Sequence, residues 1–244
     1  MISIIICSPN DARFAAVSKN LAALLKDESH EIIRIGDARS MCEGYTRGIA
    51  QSHGDRLIFC HDDIEILNTD FAARLREHLD QFDLVGVAGT SRLIRGEWVA
   101  AGPPYIFGQV AQIHPRQGFV VRIFGIPGRS AGGIQAMDGL LFAARRSVVE
   151  KIRFDAQTFD GFHHYDLDFS FAAHLAGFRL GIANDIHILH GSWGTQDESW
   201  RQSARRFHEK YADKLFRMTP RPFTFASIHV RTKHEVLEVM TGNP

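Results

Sequence analysis

Two clusters of side chains in this sequence could do chemistry, and each lies beside an apolar run. His61-Asp62-Asp63 follows directly on Leu57-Ile58-Phe59-Cys60. Adjacent carboxylates repel and lose solvation, a cost that a divalent cation relieves. Hard oxygen ligands suit Mg²⁺ or Mn²⁺. The plainer reading is a helix cap, since Asp commonly precedes helices. The second cluster is Tyr165-Asp166-Leu167-Asp168, preceded by His163-His164. There too a cap or a partner for the helix dipole is the plainer reading. Its company argues otherwise. His187 and His190 lie beyond the next apolar run, and His190 ends the stretch Ile186 to Leu189, where a strand-end ligand fits better than a core imidazole. Gly191-Ser192-Trp193-Gly194 follows, and reads equally as a glycine turn or as a lid.

These clusters need elements to position them. Ile2 to Cys7 is a β-branched run, the pattern of a strand buried on both faces. Ser8-Pro9-Asn10-Asp11 offers turn and cap residues, and Phe14, Val17, Leu21 and Leu24 follow at helical spacing. Glu31 to Ile35 reads as a strand ending at Gly36-Asp37, Met41-Tyr45-Ile49 as a helix, and Arg56 to Cys60 as a third strand. Asp70 to Leu79 reads as helix and Leu84 to Ala88 as strand. The alternation predicts an α/β fold with a mostly parallel central sheet flanked by crossover helices. In such sheets ligands bind at the carboxyl ends of strands, where Ser8, Asp37 and His61-Asp62-Asp63 stand.

Residues 96 to 135 are punctuated by glycine and proline, and predict two or three irregular strands with long loops. Beyond them, Ala136 to Ala143 reads as strand and Ser147 to Lys151 as a short helix. Asp166 to Ala176 reads as a helix with Gly177 as its C-cap, and Phe178 to Ala183 as strand. Trp200, Ala204, Phe207, Tyr211 and Leu215 mark a long amphipathic helix. The last thirty residues show no sharp pattern. The chain reads as a single domain with two lobes.

Composition narrows the function. The 244 residues are 45% hydrophobic, with 28 basic residues balancing 28 acidic ones. No field of one sign is available to hold nucleic acid. Cys7, Cys42 and Cys60 cannot all pair and show no metal-ligand spacing, so a reducing, cytoplasmic compartment is expected. The apolar N-terminus is too short for a signal peptide or a membrane span. The expectation is no transmembrane segment, and at most a peripheral association with a membrane.

Taken in order, Ser8, Asp37, Ser40-Met41-Cys42-Glu43-Gly44-Tyr45 and Leu57 to Asp63 resemble the inverting, family-two-like glycosyltransferases of the GT-A type. Met137-Asp138-Gly139-Leu140-Leu141 resembles the family's strand near donor and acceptor. Phe159-Asp160-Gly161-Phe162 leading to Tyr165-Asp166-Leu167-Asp168 resembles its acidic segment, followed by Ala176-Gly177-Phe178-Arg179-Leu180 and a terminal histidine. The resemblance covers residues 1 to 216 and departs at two positions. His61 stands at the first acid of the family's DxD motif, and Tyr165 replaces the usual Glu before the catalytic Asp.

The resemblance implies a GT-A (nucleotide-diphospho-sugar transferase) domain over 1–218, with 1–95 its nucleotide-binding half, 96–218 its acceptor half, and 219–244 a C-terminal tail. It implies Mn²⁺ or Mg²⁺ held by Asp63, His190 and His61, and donor contacts from Ser8, Asp37, His61, Asp62 and Asp138. Asp166 would be the general base in transfer from a nucleoside diphosphate sugar, a UDP-sugar foremost, to a saccharide or lipid-linked saccharide. Asp168, followed by Phe169 and Phe171, is expected to satisfy backbone N–H groups of the first helical turn instead. Two other classes compete. A nucleotidyltransferase usually carries a glycine-rich basic loop after the first strand, which Ser8-Pro9-Asn10-Asp11 is not. A sugar-nucleotide binding module with weak or no turnover is the other, and a serine hydrolase lacks its Gly-x-Ser-x-Gly elbow.

Overall fold

The computed structural model describes residues 1–242 except 195 and 221. Its first part alternates as the pattern implies: β1 (Ile2–Cys7), α1 (Asp11–Leu24), β2 (His30–Ile35), α2 (Met41–Gln51), β3 (Arg56–Cys60), a short β4 (Ile64–Ile66), α3 (Phe71–Gln81), β5 (Leu84–Gly86) and β6 (Ala88–Thr90). Next come β7 (Ile106–His114), β8 (Gly118–Gly125), β9 (Ser130–Gly132), β10 (Ala136–Met137), β11 (Leu141–Arg145) and α4 (Arg146–Lys151). The chain continues through α5 (Tyr165–Leu175), β12 (Leu180–Ala183), β13 (Ile188–His190), α6 (Glu198–Tyr211), β14 (Ala226–Val230) and α7 (Lys233–Thr241). Asn10 caps α1 by accepting from the Arg13 N–H at 3.0 Å, and Ser40 caps α2 by accepting from the Glu43 N–H at 3.1 Å.

The first sheet runs in the order β2-β1-β3-β11-β5-β12-β9. Ile5, Leu57 and Phe59 face one apolar layer, while Ile4, Ile6, Ile58 and Cys60 face the other. Burial on both faces is why β1 and β3 read as unbroken apolar runs. The sheet is only partly parallel. β1 pairs parallel with β2 and β3, and β12 with β5, but β11 enters antiparallel between β3 and β5 and β9 lies antiparallel on β12. A short strand buried on both faces carries no mark of its direction, so the strand–helix alternation overstated the parallel character.

The second sheet runs β10-β6-β7-β13-β4, with β8 and then β14 beyond β7. The single strand expected from Leu84 to Ala88 is therefore two, one in each sheet. The stretch 96–135 is also more regular than expected, since β7 and β8 form a long antiparallel hairpin. Its glycines sit at a register shift (Gly108, φ 107°) and beside the turn (Gly118, φ 84°), and these interrupt the period-two pattern. The last residues are not patternless either. β14 pairs with β8, and α7 packs Val236 and Met240 against Ala111, Val121 and Leu189. Among the described residues no helix is long and apolar enough to cross a membrane.

A buried carboxylate joins α5, whose first turn holds the second acidic cluster, to α6. Asp168 is 1% exposed, and the Lys210 ammonium and Tyr211 hydroxyl each donate to its Oδ1 at 2.7 Å. The side chain thus turns to α6, and not to the N–H groups of its own first turn as the sequence suggested. An uncharged amide there weakens two hydrogen bonds to a buried carboxylate, so Asp168→Asn should lower unfolding free energy by about 1–3 kcal/mol. Urea unfolding would read the loss. A change under roughly 0.5 kcal/mol, the scale of an ordinary surface substitution, would remove this clamp from the account of stability.

Candidate active site

A break in one expected strand builds the site. Ala136 to Ala143 is not continuous: β10 belongs to the second sheet, β11 to the first, and Asp138-Gly139-Leu140 cross between them. At the crossing, Asp138 Oδ2 accepts from Trp98 Nε1 at 2.9 Å and Oδ1 from the Leu140 N–H at 3.0 Å. The Gly139 N–H donates to Asp166 Oδ2 at 2.8 Å, and the Leu140 carbonyl accepts from the His61 N–H at 3.1 Å. A Cβ on Gly139 would lie 2.3 Å from Tyr165 Oη and 2.8 Å from the Asp166 Cβ. Only glycine lets α5 come this close.

A cleft of about 960 Å³ opens here, lined by His61, Asp138, Asp166 and His190. Trp98, Phe124, Phe225 and Phe223 form a ladder of edge-on aromatic contacts along one wall, with centroids 4.8, 5.0 and 5.1 Å apart. The tail residues Phe223 and Phe225 are thus part of the site, which the sequence reading left without chemistry. Arg122 also lines the cleft, its guanidinium 4.6 Å from the centre of the Trp193 ring. Neither Trp98 nor Arg122 was legible as a site residue, because each stands in the glycine-rich stretch whose strands were hidden.

His61, Asp63 and His190 each offer a ligand atom, and these atoms lie within 4.8 Å of one another. His190 Nε2 is 3.3 Å from Asp63 Oδ1, and both side chains are little exposed. Donors around one ion at ~2.0–2.2 Å bonds stand roughly 3–4 Å apart, so this set fits a divalent cation with small adjustments. Burial alone would raise the Asp63 carboxyl, but the hydrogen bonds and charge of His190, with help from Ser192, hold it well below the usual carboxylate range. Burial, and then the neighbouring His190, push His61 down, leaving it a neutral imidazole able to ligate.

Asp166, half-buried at the start of α5, has the opposite fate. Desolvation and the nearby Asp138 raise it to about 7, against weaker help to the anion from the Leu167 and Gly139 N–H groups. Its helix is entered through His164, a non-glycine residue at φ 62° whose Nε2 lies 2.8 Å from the Gly96 carbonyl. Backbone strain of this kind gathers at functional sites.

Ser8, Asp62, Asp37 and His187 stand apart from the cleft. Ser8 donates to Asp62 Oδ2 at 2.7 Å, with Arg13 3.7 Å from Asp62 Oδ1. Asp62 and Asp63 border a separate groove of about 510 Å³ against α1. Asp37 is exposed and paired with Arg47 at 2.8 Å. His187 is away from the ligand cluster, buried beside Asn68. The loop after His190 is docked, with Trp193 Nε1 donating to the Ile113 carbonyl at 2.7 Å and Gln112 Nε2 to the Ser192 carbonyl at 3.3 Å.

Solved structures share this architecture. GalNAc-T7 with UDP, GalNAc and Mn²⁺ is similar at a TM-score of 0.56 and 12% identity, over 88% of this chain and 48% of that one. Residues 1–349 of TarS from S. aureus match at 0.50 and 13%, over 87% and 65%. Mannosyltransferase PcManGT from Pyrobaculum calidifontis, in complex with GDP-Man and Mn²⁺, matches at 0.50 and 11%, over 91% and 66%. The chain spans between about half and two thirds of these relatives' length, and at such identities the likeness speaks for the GT-A fold alone. No curated protein sequence matches the chain. The family does: residues 3–217 match the glycosyltransferase-like family, and the chain belongs to it.

Proposed function

We propose that this protein transfers a sugar from a nucleoside diphosphate sugar to an acceptor hydroxyl, with inversion and with the help of a divalent cation. The observation that carries the reading is one cleft holding two of three clustered ligands, His61 and His190, together with Asp166, a carboxyl poised to exchange a proton near neutrality. His61, Asp63 and His190 would hold the ion. Two imidazole nitrogens among three donors favour Mn²⁺ over Mg²⁺. GalNAc-T7 and PcManGT, both solved with Mn²⁺, support the same choice. When bound, the ion supplies Lewis-acid charge to the departing diphosphate.

The chain's own groups would do the rest. Asp166 takes the proton of the acceptor hydroxyl as its oxygen attacks the anomeric carbon. The bond from that carbon to the diphosphate oxygen breaks on the opposite face, and the diphosphate leaves with the electron pair. One base opposite one leaving group gives inversion. Asp138, anchored by Trp98 and the Leu140 N–H, would face the donor sugar. Ser8, Asp37 and Asp62, at the carboxyl ends of β1 to β3, would face the nucleoside, a uridine diphosphate foremost. The aromatic wall of Trp98, Phe124, Phe225 and Phe223 would receive a saccharide acceptor, free or lipid-linked. The docked loop at Ser192 and Trp193 would act as a lid only by exchanging its contacts with Gln112 and Ile113.

Binding, transfer and stability measurements test this reading. A binder at a hundred times its dissociation constant stabilises the fold by about 2.7 kcal/mol, so UDP with Mn²⁺ should raise the melting temperature. Asp63→Ala should remove most of that rise, and a variant that kept it whole would break the assignment of the ligand set. Asp37→Ala should weaken nucleotide binding by about 1–3 kcal/mol in titration calorimetry, the scale of a hydrogen bond to a charged group. Unchanged affinity would leave Asp37 only its pairing with Arg47.

For the base, Asp166→Asn should keep the fold and donor binding while transfer falls by roughly 10²–10⁴. The wild-type rate should climb with pH and level off above about 7, since only the anion accepts the proton. Stability carries the opposite sign. The native state keeps a proton that the unfolded chain releases in the ordinary carboxylate range, so stability should fall as pH rises from about 4 to about 7. Asp166→Asn should flatten that fall. Normal transfer by this variant to a matched acceptor would exclude Asp166 as the base, while an inactive wild type that still binds UDP would favour a binding module.

A further inference from the structure

The two positions at which the sequence departs from its family's motifs touch each other. His61 and Tyr165 are separated by 104 residues, yet His61 Nε2 lies 2.9 Å from Tyr165 Oη. Tyr165 is 4% exposed, and its hydroxyl also lies within hydrogen-bond range of the Gly139 carbonyl, at 3.3 Å. A phenol has one proton to donate, and a carbonyl can only accept. One arrangement satisfies all three groups: the His61 Nε2–H donates to Tyr165 Oη, and the Tyr165 hydroxyl donates to the Gly139 carbonyl. The reverse direction, with Tyr165 donating to Nε2, would turn the hydroxyl away from the carbonyl and put the imidazole proton on Nδ1.

We propose that Tyr165 is a positioning residue which fixes His61 in the Nε2–H tautomer, leaving the Nδ1 lone pair for the cation. The proposal rests on the metal reading above and deepens it, because it says how a histidine can serve where an acid is usual. A carboxylate presents an oxygen lone pair whichever way it turns. An imidazole presents one only if its proton is held on the other nitrogen, and the hydrogen bond made by that nitrogen decides the matter. The relay to Gly139 supplies that bond. It ends on the same residue whose N–H holds Asp166, so the ligand and the base share one backbone anchor. Tyr165 is also locked by packing, its ring edge-on to Tyr45 with centroids 5.7 Å apart. The phenol therefore holds its place in the core without help from the hydroxyl, and the hydroxyl can be removed alone.

The test uses Tyr165→Phe, which deletes only that oxygen, and Mn²⁺ as the sole ligand, with no donor or acceptor. Partners that orient a metal-bound histidine commonly contribute 10–100-fold in affinity, so Mn²⁺ binding, read by the electron paramagnetic resonance signal of the free ion, should weaken by about tenfold or more. The thermal midpoint of the ion-free protein should change little by comparison. In a His61→Ala background the same Tyr165→Phe change should cost nothing further, since the hydroxyl acts through the imidazole. Histidine ¹⁵N spectra of the ion-free chain should show His61 protonated on Nε2 in the wild type and as a mixture of tautomers in Tyr165→Phe. Affinity within twofold of wild type, or an equal loss in the His61→Ala background, overturns the proposal. If the wild type takes up no Mn²⁺, the metal reading fails by itself. The tautomer spectra then still decide: an unchanged tautomer in Tyr165→Phe sinks the positioning role, and a changed one upholds it.

Discussion

The site depends on the three-residue crossing Asp138-Gly139-Leu140 between the two sheets. Each residue of the crossing is bonded to a different part of the cleft: Asp138 to Trp98, Gly139 to Asp166 and Tyr165, Leu140 to the backbone of His61. A strand running straight through would direct these groups into its own ladder. Leaving the sheet frees them, and the space that a side chain on Gly139 would need is filled by the tyrosine and the aspartate it anchors. The backbone is thus placed by sheet pairing on both sides, and α5 is set by contact with that backbone.

Around this crossing, two acids two residues apart take different partners, although burial pushes both carboxyls up. Asp168 points to α6 and is neutralised in its effect by Lys210 and Tyr211, so its charge ties helices together. Asp166 points to the cleft, where Asp138 is its nearest electrostatic influence after burial itself, and its proton is held more tightly. Within one helical turn the two carboxylates thus meet different surroundings, Asp168 the neighbouring helix and Asp166 the cleft. The same division appears between Asp62 and Asp63: Asp62 is bonded to Ser8, and Asp63 to His190. In both pairs the backbone direction at a strand end or helix start gives neighbouring carboxylates different partners.

The second sheet closes the site from the other side. β13 brings His190 beside Gln112 of β7, and β8 sets Arg122 and Phe124 along the same cleft. β14 and α7 then cover the outer strands, and the segment leading into β14 contributes Phe223 and Phe225 to the wall. Residues distant in the chain thus complete the cleft, with His61 and Leu140 beside strands of the first sheet and Val110, Gln112, Arg122 and Phe124 on strands of the second.

The sequence by itself determined the strands and helices of the first eighty residues except the short β4, because double burial writes continuous apolar runs and exposed helix faces write a three-to-four-residue period. It also marked His61, Asp63, His190 and Asp166 as candidates, since polar groups at the ends of buried strands and at a helix start are costly without a partner. Direction and partnership were left to the tertiary structure. The antiparallel entry of β11, the split of two expected strands, the glycine-interrupted hairpin β7–β8 and the pairing of β14 all depend on contacts between distant segments. So does the meeting of His61 with Tyr165, and the separation of Asp37 and Asp62 from the cleft. The physical reason is that periodicity reports which face of an element is buried, while hydrogen-bond partners across a hundred residues are chosen only when the sheets close.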